Sequence, residues 1–316
     1  MRDNTGREIR YLRLSVTDRC NLRCRYCAPE EQLPETGTDP LTAEEIEAIV
    51  SAAIDLGLDK IRLTGGEPLT RPDILEICRR VSALPGIREL CMTTNGILLE
   101  DYAAALAEAG VNRLNISLDT LQPDRFRAFT RDGDLDRVLR GIRAAEAAGL
   151  TPIKLNVVLM GSENDDEIAD FVGLTQERPI NVRFIELMPI GESAGLGPER
   201  FLSSDAVLAA CPTLVPDTGE GEGVARIYRL PGGAGKVGLI SPMSRHFCDR
   251  CNRIRVTADG KLKPCLHSDQ EISLRGLQGA ALAAALRAGI GVKPTGHNMT
   301  PDRPSAAGRK MHQIGG

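Results

Sequence analysis

The 316-residue chain predicts an α/β protein: an incomplete (β/α)6 TIM-like barrel with a C-terminal extension. Three observations carry that expectation. Short runs rich in Val, Ile and Leu alternate with amphipathic stretches over residues 1–190. The connections between those runs are helix-length crossovers, which imply parallel pairing. After Ile190 the composition shifts to glycine-rich loops such as GESAGLG and PDTGEGEG. A doubly wound sheet is the rival arrangement.

The elements follow in order. YLRLSVT predicts the first strand. TAEEIEAIVSAAIDLG predicts a helix, with Thr42 as N-cap, Glu45 completing a capping box and a glycine at its end. KIRLTG, IRELCMTT, VNRLNISLD, PIKLNVVLM and NVRFIELMP are the remaining strands. RPDILEICRRVSALPG, LLEDYAAALAEAG, DLDRVLRGIRAAEAAG and DDEIADFVGLTQER are the remaining intervening helices. SSDAVLAAC is a candidate sixth helix. ARIYRLPGGAGKVGLIS has the form of a hairpin with a long turn, and LQGAALAAALRAG that of an alanine-rich helix. The organisation expected is a core over 1–190, an extension over 191–300 and a flexible tail over 301–316, since PDRPSAAGRKMHQIGG has little apolar periodicity.

Composition narrows the classes. The net charge is −4, which argues against broad nucleic-acid binding. No apolar run approaches the length of a membrane span, and MRDNTGREIR lacks the apolar core of a signal peptide. A soluble cytoplasmic protein is expected. Nine cysteines are too few for a disulfide scaffold in a chain this long. Cys78, Cys91 and Cys211 are scattered and read as core thiols. The other six fall into two groups of three.

The first group, TDRCNLRCRYC, spaces Cys20, Cys24 and Cys27 as C-x3-C-x2-C. Structural zinc takes four ligands, and no histidine lies nearby; Asp18 is the one available completion. A 4Fe–4S cluster on three thiolates fits better and leaves one iron open to a small molecule. RLTGGEPLTR, by itself, is a turn in which Gly65 and Gly66 permit close backbone approach; it lacks the P-loop pattern. The second group, Cys248, Cys251 and Cys265, is spaced C-x2-C-x13-C. A zinc knuckle completed by His246 or His267 and a second cluster with an open iron are both readings of it. Strand alternation puts Arg253 and Arg255 on one side of RIRV, so both can face one pocket. Arg13, Arg62, Lys154 and Arg183 each interrupt an apolar strand. Buried cations without partners are costly, and a polyanion such as a triphosphate would offset that cost.

With TTNG at 93–96 and a terminal Gly-Gly added, the chain resembles the radical S-adenosylmethionine (SAM) superfamily. Within it, the chain resembles the GTP 3',8-cyclases, lyases of molybdenum cofactor biosynthesis. The resemblance covers essentially the whole chain, and the distal triad with its two arginines is the more specific part. It implies two 4Fe–4S clusters, one on Cys20, Cys24 and Cys27, and one on Cys248, Cys251 and Cys265. SAM is the implied cosubstrate, with Tyr26 and Met188 near its adenine. Gly66 lies in the segment that meets its methionine amino group, and Ser117 at its methionine or ribose portion. GTP is implied between the clusters, with Arg13, Arg62, Thr93 and Lys154 at its phosphates and ribose and Arg253 and Arg255 in its pocket. Gly315 and Gly316 are implied to enter the active site and support catalysis. The implied reaction removes the C3' hydrogen of GTP with a 5'-deoxyadenosyl radical and joins C3' to guanine C8. An external electron donor and a downstream cyclic pyranopterin monophosphate synthase are the implied partners, with a homodimer left open. Another radical SAM enzyme, such as a peptide-modifying maturase, and a zinc-bound interaction module are the alternatives.

Overall fold

The computed structural model describes residues 1–29, 39–219 and 223–315. Its strands are β1 (Tyr11–Ser15), β2 (Lys60–Thr64), β3 (Glu89–Thr94), β4 (Arg113–Ser117), β5 (Ile153–Leu159), β6 (Ile180–Glu186), β7 (Val215–Pro216), β8 (Arg226–Arg229), β9 (Val237–Ile240), β10 (Arg253–Val256), β11 (Lys261–Lys263) and β12 (Ile272–Ser273). Its helices are α1 (Ala43–Asp55), α2 (Ile74–Ser82), α3 (Leu99–Glu108), α4 (Pro123–Thr130), α5 (Leu135–Ala147), α6 (Ile168–Glu177), α7 (Asp205–Ala210), α8 (Gly279–Gly291) and α9 (Met311–Ile314).

The six expected core strands are present, and β1 to β6 pair in parallel in sequence order. The capping box at Thr42 and Glu45 opens α1. The hairpin is β8 and β9. The short strands β7, β11 and β12 and the short helix α9, in the tail expected to be flexible, were not foreseen; nor was α4, which begins at Pro123 and carries only Phe126, Phe129 and Thr130 as buried residues. Two turns of helix with so few apolar positions leave almost no periodic signal.

The extension adds strands to both edges of the core instead of forming a separate sheet. β10 pairs in parallel with β1, and β9 with β6. Among the described residues the result is one mixed row of twelve strands, β12-β11-β10-β1-β2-β3-β4-β5-β6-β9-β8-β7.

Alternation along each strand divides its two faces. Leu12 and Leu14, Ile61 and Leu63, Leu90 and Met92, and Leu114 and Ile116 are fully buried in one hydrophobic core. Residues that alternate with them, among them Arg13, Arg62, Thr93 and Asn115, line a cavity of about 530 Å³. Eight neighbouring strands, β10, β1 to β6 and β9, contribute to that cavity. Laid flat they would span about 34 Å, so a shared cavity of this size requires a sheet curved around it. Cys78, Cys91 and Cys211 are buried, as expected of core thiols. No described helix is long and apolar enough to cross a membrane.

Candidate active site

The loop after β1 carries Cys20, Cys24 and Cys27, all half-buried and all lining the cavity. Two supports hold it. On one side is the turn after β2: Gly66 donates its N–H to the Thr17 carbonyl (2.8 Å) and Glu67 donates to the Arg19 carbonyl (2.8 Å). A Cβ on Gly66 would collide with that Arg19 carbonyl, so the two segments approach as only glycine allows. On the other side is α4, whose Phe129 and Thr130 carbonyls accept from the N–H groups of Arg25 and Arg23, both at 3.0 Å. The helix missing from the sequence reading is therefore a clamp on the cysteine loop.

Glu67 is fully buried and organises the same corner. It accepts from the N–H of Leu69 (3.0 Å), the hydroxyl of Thr94 (2.8 Å) and the N–H of Asn95 (2.6 Å). Burial pushes its carboxyl up to about 7, and those donors hold the rise back. Asn95 in turn donates to Asn21 in the cysteine loop (2.7 Å). Tyr26 donates its hydroxyl to Asp119 (2.7 Å), which also accepts the Val158 N–H (2.8 Å). Burial raises Asp119 to about 6 against those two donors. Asp119 follows Ser117 by two residues at the end of β4, so strand alternation alone was enough to find it. Ser117 and Met188 both line the cavity. The Met188 carbonyl already accepts from the Ile190 N–H (2.8 Å) and the Ser193 hydroxyl (2.6 Å).

The second triad lines the same cavity. Arg7 fixes its loop from the N-terminal arm, donating to the Cys248 carbonyl at 2.7 Å and the Pro294 carbonyl at 2.8 Å. Lys293 is buried and donates to the carbonyls of Arg253 (2.8 Å) and Pro264 (2.9 Å). His246, His297 and His267 form a chain of neighbouring rings, with centroids 4.4 Å and 4.7 Å apart.

The cysteines fit iron-sulfur chemistry by their electrostatics. Burial, then the neighbouring Glu67, raises Cys20 to about 11; burial, then Cys20, raises Cys27 to about 12. Three mutually opposed thiols ionise readily only when a cationic group binds them together. In the second triad burial opposes ionisation of Cys251, but Arg253 and Lys293 outweigh it and bring the thiol to about 7. Among the described residues no three His, Cys, Asp or Glu side chains are arranged around a single ion.

Between these loops lie the strand cations. Register places Arg13 beside both Arg255 and Arg62. Arg62 donates to the Met92 carbonyl (3.1 Å) and the Thr93 hydroxyl (3.2 Å), and to Tyr11. Lys60 and Arg113 pair with Glu89 deeper along the strands. Lys154, Arg183 and Arg253 have no carboxylate partner among the described residues, although Arg253 stacks over Phe247 at 5.7 Å. Burial, then Arg183, lowers Lys154 to about 6; burial, then Arg62, lowers Arg183 to about 10. Arg255 is buried and donates to the Ile314 carbonyl (3.0 Å) and to that of Gly315. Gly315 has φ +69°, and a Cβ there would collide with Thr64. Gly316 lies outside the described residues.

A curved α/β sheet with a three-cysteine loop at its strand ends defines a class, and the comparisons agree with it. The radical SAM superfamily model matches residues 14–175, and the Molybdenum Cofactor Synthesis C model residues 180–299. Solved structures with this fold include Streptococcus suis SuiB bound to S-adenosylmethionine, with TM-score 0.60 and 14% identity. That match covers 89% of this chain and 68% of SuiB. Native anSMEcpe with bound AdoMet matches with TM-score 0.55 and 14% identity, over 86% of this chain and 80% of that one. The GTP 3',8-cyclase of Alkaliphilus metalliredigens (strain QYMF) is 49% identical over 320 residues, covering 100% of both chains. That of Moorella thermoacetica (strain ATCC 39073 / JCM 9320) is 48% identical over 327 residues, again covering 100% of both. The chain belongs to the radical SAM superfamily and, within it, to the GTP 3',8-cyclase family.

Proposed function

We infer that the protein is a GTP 3',8-cyclase acting in molybdenum cofactor biosynthesis. The observation that carries this reading is one cavity shared by both cysteine triads and by a set of cations without carboxylate partners. Cys20, Cys24 and Cys27 would hold one 4Fe–4S cluster, and Cys248, Cys251 and Cys265 a second. When bound, the first cluster supplies the electron that cleaves the sulfonium of SAM, and the 5'-deoxyadenosyl radical so released takes the C3' hydrogen of GTP. C3' then bonds to guanine C8, and one further electron and one proton give 3',8-cyclo-7,8-dihydro-GTP.

The chain's own part is positioning and charge. Arg13, Arg62 and Lys154 neutralise the triphosphate, with Thr93 as a further polar contact. Arg253 and Arg255 bound the guanine end. Gly66 admits the SAM amino group close to the backbone, while Tyr26, Ser117 and Met188 bound its adenosine. Gly315 and Gly316, lacking side chains, bring the chain end into the crowded site. The curvature supports a partial (β/α)6 barrel over 1–190, with 191–300 as the extension bearing the second cluster and 301–316 as the catalytic tail. An external donor supplies electrons, and a cyclic pyranopterin monophosphate synthase consumes the product.

Anaerobic incubation with GTP, SAM and dithionite tests the reading. The expected result is 5'-deoxyadenosine together with the cyclised nucleotide. Deoxyadenosine formed while GTP remains unconsumed would reduce the assignment to the superfamily alone.

A further inference from the structure

The scheme above uses the chain end but not what docks it. Arg309 is six positions before Gly315 and bridges two carboxylates of the extension. Its Nη1 and Nη2 donate to Asp259 at 3.1 and 2.9 Å; Nε and Nη2 donate to Glu271 at 2.5 and 2.8 Å. Four donors on two carboxylates use the planar guanidinium fork in a way no other side chain reproduces.

The two carboxylates also have partners within the extension. Thr257 donates its hydroxyl to Asp259 at 2.5 Å. Lys263 is buried, is tied to the Ser268 carbonyl at 2.6 Å and reaches Glu271 at 3.3 Å. Both carboxylates flank β11, on the segment leading to and from Cys265. Among the described residues, the other polar contacts of the tail before Ile314 with the rest of the chain are single ones: Ser305 N–H to the Pro189 carbonyl (2.9 Å), Lys310 to Glu192 (2.7 Å), and His312 to the Cys27 carbonyl (3.2 Å).

We propose that Arg309 is a latch, a positioning residue that docks the C-terminal segment on Asp259 and Glu271 so that Ile314 and Gly315 reach Arg255. The physical gain is effective concentration. Fixing position 309 leaves only a short run to find the cavity, whereas an undocked tail must order many more residues for the same contact. The proposal rests on the reading that the chain end takes part in cyclisation.

Two readouts test it. A lysine-specific protease reports tail release by cleavage after Lys310. The ratio of cyclised nucleotide to 5'-deoxyadenosine reports productive placement. Arg309→Ala, and separately the Asp259→Ala/Glu271→Ala pair that leaves the tail sequence intact, should each speed cleavage roughly tenfold and lower the ratio by about as much. Formation of 5'-deoxyadenosine should stay near wild type, and Arg309→Lys should fall between. Wild-type protection in Arg309→Ala overturns the latch. Released tails with an unchanged ratio overturn its positioning role, and so does deoxyadenosine falling in step with product, which marks a general structural defect. If the wild-type chain forms no cyclised nucleotide, the cyclase reading fails on its own, and the protease arm still decides docking.

Discussion

At Lys154, β5 exposes an amine to a cavity crowded with guanidinium groups, while its neighbours Ile153 and Leu155 pack into the core. Burial and those cations lower it from the ordinary 10.5 to about 6. In the empty site at pH 7.5 the amine is therefore neutral. A bound triphosphate favours the charged form, so binding takes up a proton, and affinity weakens as pH rises from about 6 toward 8. Below about 6 the amine is already charged and no uptake occurs. Calorimetry of GTP binding at pH 7.5, in two buffers of different ionisation enthalpy, should show uptake of about one proton. Lys154→Met should bind GTP roughly 10- to 100-fold more weakly with no uptake. Identical heats in both buffers for the wild type would reject this role. The alternation that singles out Lys154 was visible in the sequence, because a lone cation in an apolar strand has one face to occupy. The identity of its neighbours was not, since Arg183 and Arg62 reach it from other strands.

At the scale of elements, the cysteine loop depends on close approach of the turn after β2. Gly66→Ala forces the Arg19 carbonyl away and breaks the bonds that Gly66 and Glu67 donate to the loop. The hydrophobic core is untouched, so the far-ultraviolet dichroism should remain that of the wild type. Iron bound after anaerobic reconstitution should fall by about half, from the loss of one of two four-iron groups. Full iron loading would show that the approach is not needed for assembly. This glycine pair was legible as a turn and acquired meaning only beside the cysteines. α4 was not legible, because its buried face is too short to produce a period. Its task is carried by main-chain carbonyls at Phe129 and Thr130, which no residue type announces.

At the scale of the whole molecule, the extension completes the site. Glu186, buried at the end of β6, accepts the N–H groups of Ser204, Met243 and Ser244, each at 2.9 Å, and ties both halves together. Replacing Cys248, Cys251 and Cys265 by serine should leave about four irons per chain instead of about eight. It should also preserve 5'-deoxyadenosine formation and abolish cyclised nucleotide. Iron analysis and product chromatography read both, and an unchanged iron count would remove the second cluster from the scheme.

What the sequence by itself determined is whatever is local. Cysteine spacings, the capping box at Thr42, the strand alternation of Arg253 and Arg255 and the βα rhythm of residues 1–190 all depend on neighbours within a few positions. Only the tertiary structure decided that β10 lies beside β1, that Arg255 sits next to Arg13, and that Arg309 meets Asp259 and Glu271. β1 and β10 are more than 200 residues apart in the chain. Their pairing is set by which edge of the curved sheet is left open and by the cavity both sides enclose, and a local pattern contains neither.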